Sequence, residues 1–297
     1  MTAPRGSLTP LVTPFRFGDI DEPAFRALID RQLDGGSHGV TVTGTTGEPT
    51  SLSLAERARL FEVAAAHVDG RAVVLAGTGT PELRDTLALT RDAARAGADV
   101  ALVVSPAFVQ PSQPGLVRWF HTVADTSEVP VILYDIPGRA GVALSVETTV
   151  TLAAHPNIVG VKLARPDLVH ASRVLDACGP DFGVYSGVEA LCFPLLALGG
   201  SGHVSATANL FPAELADMAD LCFKGEFAQA RELHFRLLDV NEAIFFDTNP
   251  VPIKAMLAAL GLISPEVRPP LVWADAALQA RLDAILGAHG LLPRAPQ

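Results

Sequence analysis

The chain has 297 residues, 49% of them hydrophobic and 18% charged, with a formal net charge of −10. That length and apolar content can bury one large core, and so acidic a chain is a poor partner for a phosphate backbone, which argues against nucleic-acid binding. No apolar run approaches the length of a membrane span and residues 1–6 hold no apolar core of signal-peptide length, so the expectation is a cytoplasmic protein with no membrane partner.

Along the chain, short runs rich in Val, Ile and Leu alternate with longer amphipathic stretches. Ser7–Pro14 precedes a predicted helix at Pro23–Gly35, for which Asp21 is a start signal. Gly39–Gly44 precedes Leu54–Val68, Ala72–Gly77 precedes Pro81–Gly97, and Val100–Pro106 precedes Gly115–Ser127. Val129–Pro137 leads to Ser145–Ala154, Ile158–Ala164 to Asp167–Ala177, Phe182–Gly187 to Ala190–Gly199, and Gly202–Ala208 to Pro212–Phe223. Near-continuous apolar runs suit strands buried on both faces of a parallel sheet. Repeated strand–helix units of this kind predict the α/β class and a (β/α)8 TIM barrel. A doubly wound sheet is the alternative, but it carries a Gly-rich nucleotide turn after its first strand, and Thr13-Pro14-Phe15 is not one.

After Phe223 the alternation stops. Glu226–Phe246, Pro250–Leu260 and Asp275–Gly287 read as helices with no strand between them. Residues 1–224 are therefore assigned to the barrel and 225–297 to a C-terminal helical extension, with Leu292–Gln297 frayed at its end.

Barrel chemistry sits where strands end and loops begin. The second run ends in Gly44-Thr45-Thr46-Gly47-Glu48, where two hydroxyls between glycines allow close approach of a ligand and the following helix can aim N–H groups at an anion. The same residues also fit an ordinary Gly-rich turn. The fifth run ends in Tyr134-Asp135-Ile136-Pro137-Gly138-Arg139, which offers a proton-relaying phenol and an arginine able to hold a carboxylate, or equally a rim tyrosine and a surface arginine.

The sixth run, Ile158–Ala164, contains Lys162. Only three of the 22 basic residues are lysines: Lys162, Lys224 and Lys254. An amine taken out of water and left neutral attacks a carbonyl to form an imine, which is an electron sink. A strand-end lysine can instead snorkel to solvent or pair with a carboxylate. Lys224, in Phe-Lys-Gly-Glu-Phe, reads as an exposed helix end, and Lys254 as a structural residue within a helix. Gly187 and the small residues after Gly202 leave room for substrate or for tight packing.

The eight histidines lie scattered, with no ligand-spaced pair, so no metal site is expected, although carboxylates from separate strands could still assemble one. Cys178, Cys192 and Cys222 show no paired pattern and read as free or buried thiols of a reducing cytosol.

Taken in order, Leu11-Val12-Thr13-Pro14-Phe15, Gly44–Glu48, Tyr134–Arg139, Gly160-Val161-Lys162, Ser186-Gly187 and Thr248–Lys254 resemble the dihydrodipicolinate synthase / N-acetylneuraminate lyase family of pyruvate-dependent class I aldolases and lyases. The resemblance spans nearly the whole chain. It implies that Lys162 forms the Schiff base, that Tyr134 and Thr45 relay protons, and that Thr46, Gly47, Gly187 and Val204 help bind a 2-oxo acid. Arg139 would take the carboxylate of an aldehyde co-substrate. It implies no cofactor, no metal, and a homotetramer or homodimer. Arg139 and the Asn-Pro-Val-Pro-Ile-Lys segment point to the synthase branch.

The chain departs from that branch at several positions. Phe108 stands where synthases usually carry a tyrosine that enters the neighbouring subunit's site, which breaks the hydroxyl relay. Leu163 replaces a common acidic residue, and Val188-Glu189 a frequent Asp pair. Leu54, Arg57, Pro81 and Ala107 occupy the places of a regulatory lysine site, so no feedback inhibition by lysine is expected. Three alternatives stay open: an aldolase or dehydratase of a 2-oxo-3-deoxy sugar acid, a non-catalytic barrel that binds 2-oxo acids, and a metal-dependent barrel enzyme.

Overall fold

Eight short strands pair in parallel and close on themselves: β1 (Gly6–Pro10), β2 (Gly39–Val42), β3 (Val73–Gly77), β4 (Val100–Val104), β5 (Val131–Asp135), β6 (Ile158–Leu163), β7 (Gly183–Ser186) and β8 (Gly202–His203). Each pairs with its neighbours in sequence, and β8 returns to β1 through Gly6 opposite Gly202. The computed structural model describes residues 3–292. The predicted (β/α)8 barrel is therefore the observed one.

Nearly every strand residue is buried, because one face looks into the barrel and the other meets a helix. Leu8, Leu75, Leu102, Ile132, Val159 and Tyr185 fill the interior. Eight helices form the outer ring: α1 (Glu22–Asp34), α2 (Leu54–Val68), α3 (Leu83–Ala96), α4 (Gln113–Thr126), α5 (Val146–Ala153), α6 (Leu168–Cys178), α7 (Cys192–Ala197) and α8 (Pro212–Phe223). Phe25, Leu60, Phe61, Phe120 and Val174 pack from this ring onto the strands. Among the described residues no helix is long and apolar enough to cross a membrane.

Capping chemistry corrects several predicted boundaries. The third helix starts at Leu83 rather than Pro81, because the Glu82 side chain accepts the Asp85 N–H. The fourth starts at Gln113, with Ser112 as cap and Pro114 in the first turn. The predicted strand Ser7–Pro14 stops at Pro10, and a small hairpin pairing Phe15–Arg16 with Asp19–Ile20 follows. The run Gly202–Ala208 gives only a two-residue strand before a 3-10 turn at Ala206–Asn209. Gly, Ser and Ala suit close packing there, and composition alone does not separate strand from turn.

Among the described residues the extension forms four helices: α9 (Phe227–Arg236), α10 (Leu238–Ala243), α11 (Val251–Ala259) and α12 (Ala276–Ala288). The predicted helix Glu226–Phe246 breaks at Leu237, whose buried side chain anchors the junction. Residues 293–297 of the predicted frayed end lie outside the described residues.

Candidate active site

Strand register places the two central side chains. Tyr134 and Lys162 are partners across β5 and β6, and the alternation along each strand turns both inward. Lys162 is 5% exposed, and its Nζ lies 4.0 Å from the centroid of the Tyr134 ring. Gly187, just after β7, makes this possible: a Cβ there would stand 2.6 Å from Lys162 Cε and 3.1 Å from Ala164 Cβ. The glycine is needed for space, since its neighbour is the lysine itself.

A 3-10 turn at Thr45–Gly47 follows β2. Thr45 Oγ1 and Tyr134 OH are 3.1 Å apart, with either able to donate. Thr46 Oγ1 accepts a 3.1 Å hydrogen bond from Asn249 Nδ2. The expectation that the next helix aims its N-terminus at an anion here is not met. That helix begins at Leu54, and the reciprocal Ser53–Glu56 capping box already serves its end. Gly47 is also turned away: its carbonyl accepts from Thr13 Oγ1 at 2.7 Å, and it does not line the cavity.

Arg139 sits on a one-turn helix, Pro137–Ala140, and its NH2 donates to the Asn249 carbonyl at 3.1 Å. Asp135 ties down the far end of this loop, where the Leu144 N–H donates to Oδ1 at 3.0 Å. Burial pushes the Asp135 carboxyl up to about 6, against the Leu144 hydrogen bond and the Arg165 guanidinium 3.6 Å from Oδ2.

Lys162, Tyr134, Thr45, Thr46, Arg139, Gly187 and Val204 surround one cavity of about 70 Å³. Six further liners escaped the sequence reading as site residues: Pro10, Ile136, Glu189, Ala206, Phe245 and Asn249. Asn249 lies inside the quoted Thr248–Lys254 segment, so its signal was present without its role. Phe245 and Asn249 belong to the helical extension, which therefore completes the wall of the site.

The model of the Dihydrodipicolinate synthetase family matches residues 3–289. A 4-hydroxy-tetrahydrodipicolinate synthase of Thermus thermophilus is 47% identical, covering 98% of both chains. The chain belongs to the dihydrodipicolinate synthetase family. It is thereby a lyase of the class I aldolase type. Solved structures agree. Dihydrodipicolinate synthase from Aquifex aeolicus superposes with a TM-score of 0.95 at 36% identity, over 97% of this chain and 98% of that one. The chloride-inhibited Acinetobacter baumannii enzyme complexed with pyruvate gives 0.96 at 33% identity, over 98% and 100%.

In this family member Phe108 is 90% exposed and holds a left-handed backbone, φ +73°. Val109 beside it is 69% exposed. Arg57 is buried, donating from NH2 to the carbonyl of Gly77. Lys224 caps α8 at the surface, and Lys254 is wholly buried within α11. The three cysteines are free.

Proposed function

We propose that this lyase joins pyruvate to an aldehyde through an imine on Lys162, in the manner of a 4-hydroxy-tetrahydrodipicolinate synthase. The observation that carries the reading is the buried amine of Lys162 held over the Tyr134 ring, with the Tyr134 hydroxyl in reach of Thr45. The amine nitrogen attacks the oxo carbon, and water leaves as the imine forms. Tyr134 and Thr45 are placed to pass protons to and from the reacting atoms. Thr46 is set to hold the pyruvate carboxylate, with Gly187 and Val204 shaping the space around it. Arg139, at the exposed rim, takes the carboxylate of the aldehyde substrate. No external cofactor or metal enters this chemistry, because the imine itself is the electron sink.

An aromatic side chain as exposed as Phe108 fits a surface covered by a second copy of the chain, so the working form is a homodimer or homotetramer. Free cysteines fit a reducing cytosol. The missing hydroxyl at Phe108 favours a second reading of the same site, an aldolase or dehydratase of a 2-oxo-3-deoxy sugar acid.

Incubation with pyruvate, reduction by borohydride and mapping by mass spectrometry tests the imine. A stable adduct on Lys162 that is lost in Lys162→Ala is expected, and trapping elsewhere removes the mechanism. A screen of aldehydes that includes aspartate semialdehyde then separates the two readings.

A further inference from the structure

Among the described residues, Glu189 is the single carboxyl lining the cavity around Lys162. It opens the 3-10 turn Glu189–Leu191, two residues past the glycine against which Lys162 lies. It is 4% exposed, its Oε1 accepts a 2.9 Å hydrogen bond from the Ala206 N–H, and its Oε2 is buried with no partner. An ionised carboxylate with a bare buried oxygen is costly, and the protonated acid is much less so. Burial accordingly pushes the carboxyl up to about 7, against the Ala206 hydrogen bond and the charge of Lys162.

Among the described residues lining the cavity, nothing else can balance a positive charge on Lys162. Ser186 and Ser205 are buried hydroxyls, and burial raises the Cys192 thiol far above its ordinary value. His203, on the strand before Ser205, gives Nε2 to the Leu215 carbonyl, and burial lowers its pKa to about 4. Helix α10 packs over the turn but leaves Asp239 and Glu242 to solvent. Arg139 and Tyr134, across the cavity, offer no negative charge.

We propose that Glu189 is the counter-charge of the imine on Lys162, its carboxylate forming as the cationic imine forms. The proposal rests on the Schiff-base reading above. The step balances within the pair: the attacking amine, which is the unprotonated form of Lys162, the ketone carbonyl and the carboxylic acid become iminium, water and carboxylate. The new C=N bond draws on the nitrogen lone pair, the C–O bond breaks, and the departing water carries one proton from nitrogen and one from Glu189. No proton is taken from solvent and no oxidation state changes. Hydrolysis of the imine returns the proton to Glu189.

Two measurements test this. Difference infrared spectroscopy on the native protein near neutral pH should show a protonated-carboxyl carbonyl band lost on addition of pyruvate and a carboxylate band gained. Glu189→Gln should lack that change, and Asp135→Asn, which removes the other carboxyl raised by burial near the site, should keep it. In borohydride trapping against pyruvate concentration, the half-saturation should rise roughly tenfold or more in Glu189→Gln, the effect of removing a nearby opposite charge. Glu189→Asp should fall between the two. If native protein traps pyruvate but shows no carboxyl change, or Glu189→Gln traps at unchanged half-saturation, the counter-charge role is overturned and the imine stands. If native protein traps nothing, the Schiff-base reading falls and this inference with it.

Discussion

Lys254 Nζ lies 2.6 Å from Glu48 Oε1, and both side chains are sealed from water at 0% and 1% exposure. Glu48 Oε2 accepts from the Arg268 N–H at 3.0 Å, and the Lys254 amine also sits 4.3 Å from the centroid of the Phe15 ring. Glu48 holds a left-handed backbone, φ 56°, directly after the turn that carries Thr45 and Thr46. The extension thus grips the substrate loop through a buried ion pair as well as through Asn249.

Breaking that pair from one side leaves a buried charge uncompensated. Lys254→Met should cost about 3–5 kcal/mol of stability, and Glu48→Gln a comparable amount. The double variant should be less damaged than the sum of the two, because no lone charge remains. Denaturant melts of the four proteins check this, and strictly additive losses would sink it.

Tyr134→Phe keeps the ring beneath Lys162 and removes only the hydroxyl that meets Thr45. Turnover should fall roughly a hundredfold or more, the range of a lost proton-transfer group. Because the amine stays buried beside the ring, pyruvate should still be trapped on Lys162 at long incubation. A variant with native turnover would remove Tyr134 from the proton path.

Gly187→Ala asks for a Cβ 2.6 Å from Lys162 Cε. The flexible lysine has to move, so the expected result is a folded protein with little imine trapping. Native melting temperature together with native trapping would show that the lysine has another productive position.

Asp135 carries a pH signature in stability. Its carboxyl is raised from 3.8 to about 6 in the folded state, so the fold binds this proton more tightly than the unfolded chain does. The stability it contributes is full below about pH 4 and is lost as pH rises through 6. Asp135→Asn keeps an acceptor for the Leu144 N–H without the buried charge. It should stabilise the protein at pH above 6 by on the order of 3 kcal/mol, with the gain vanishing in acid. Melting temperatures of both proteins across that range provide the check, and a constant offset would refute it.

Phe108→Tyr restores the hydroxyl that the family resemblance places in a neighbouring copy's site. If the aldehyde partner is aspartate semialdehyde, this change should raise the rate of condensation. An unchanged rate with every aldehyde tested would show that the relay does not pass through position 108.

The barrel was legible in the sequence because its signal is local. Strands covered on both faces must be apolar along their length, amphipathic helices must lie between them, and that alternation can be read without any contact. Lys162 stood out for the same reason, as a cation within the apolar run Ile158–Ala164. Tyr134 and Thr45 were legible as polar residues at strand ends, where barrels keep their loops.

What the sequence could not decide depends on closure. Glu48 meets Lys254, and Thr46 meets Asn249, only because the extension folds back over the mouth of the barrel. Glu189 gains its meaning from the loss of water around it, and burial is a property of neighbours distant in sequence. Gly47 and Thr46 are adjacent, yet the 3-10 turn directs one to Thr13 and the other to the cavity. Strand-end position and the family resemblance proposed the residues of the site, whereas packing decided which of them face the lysine.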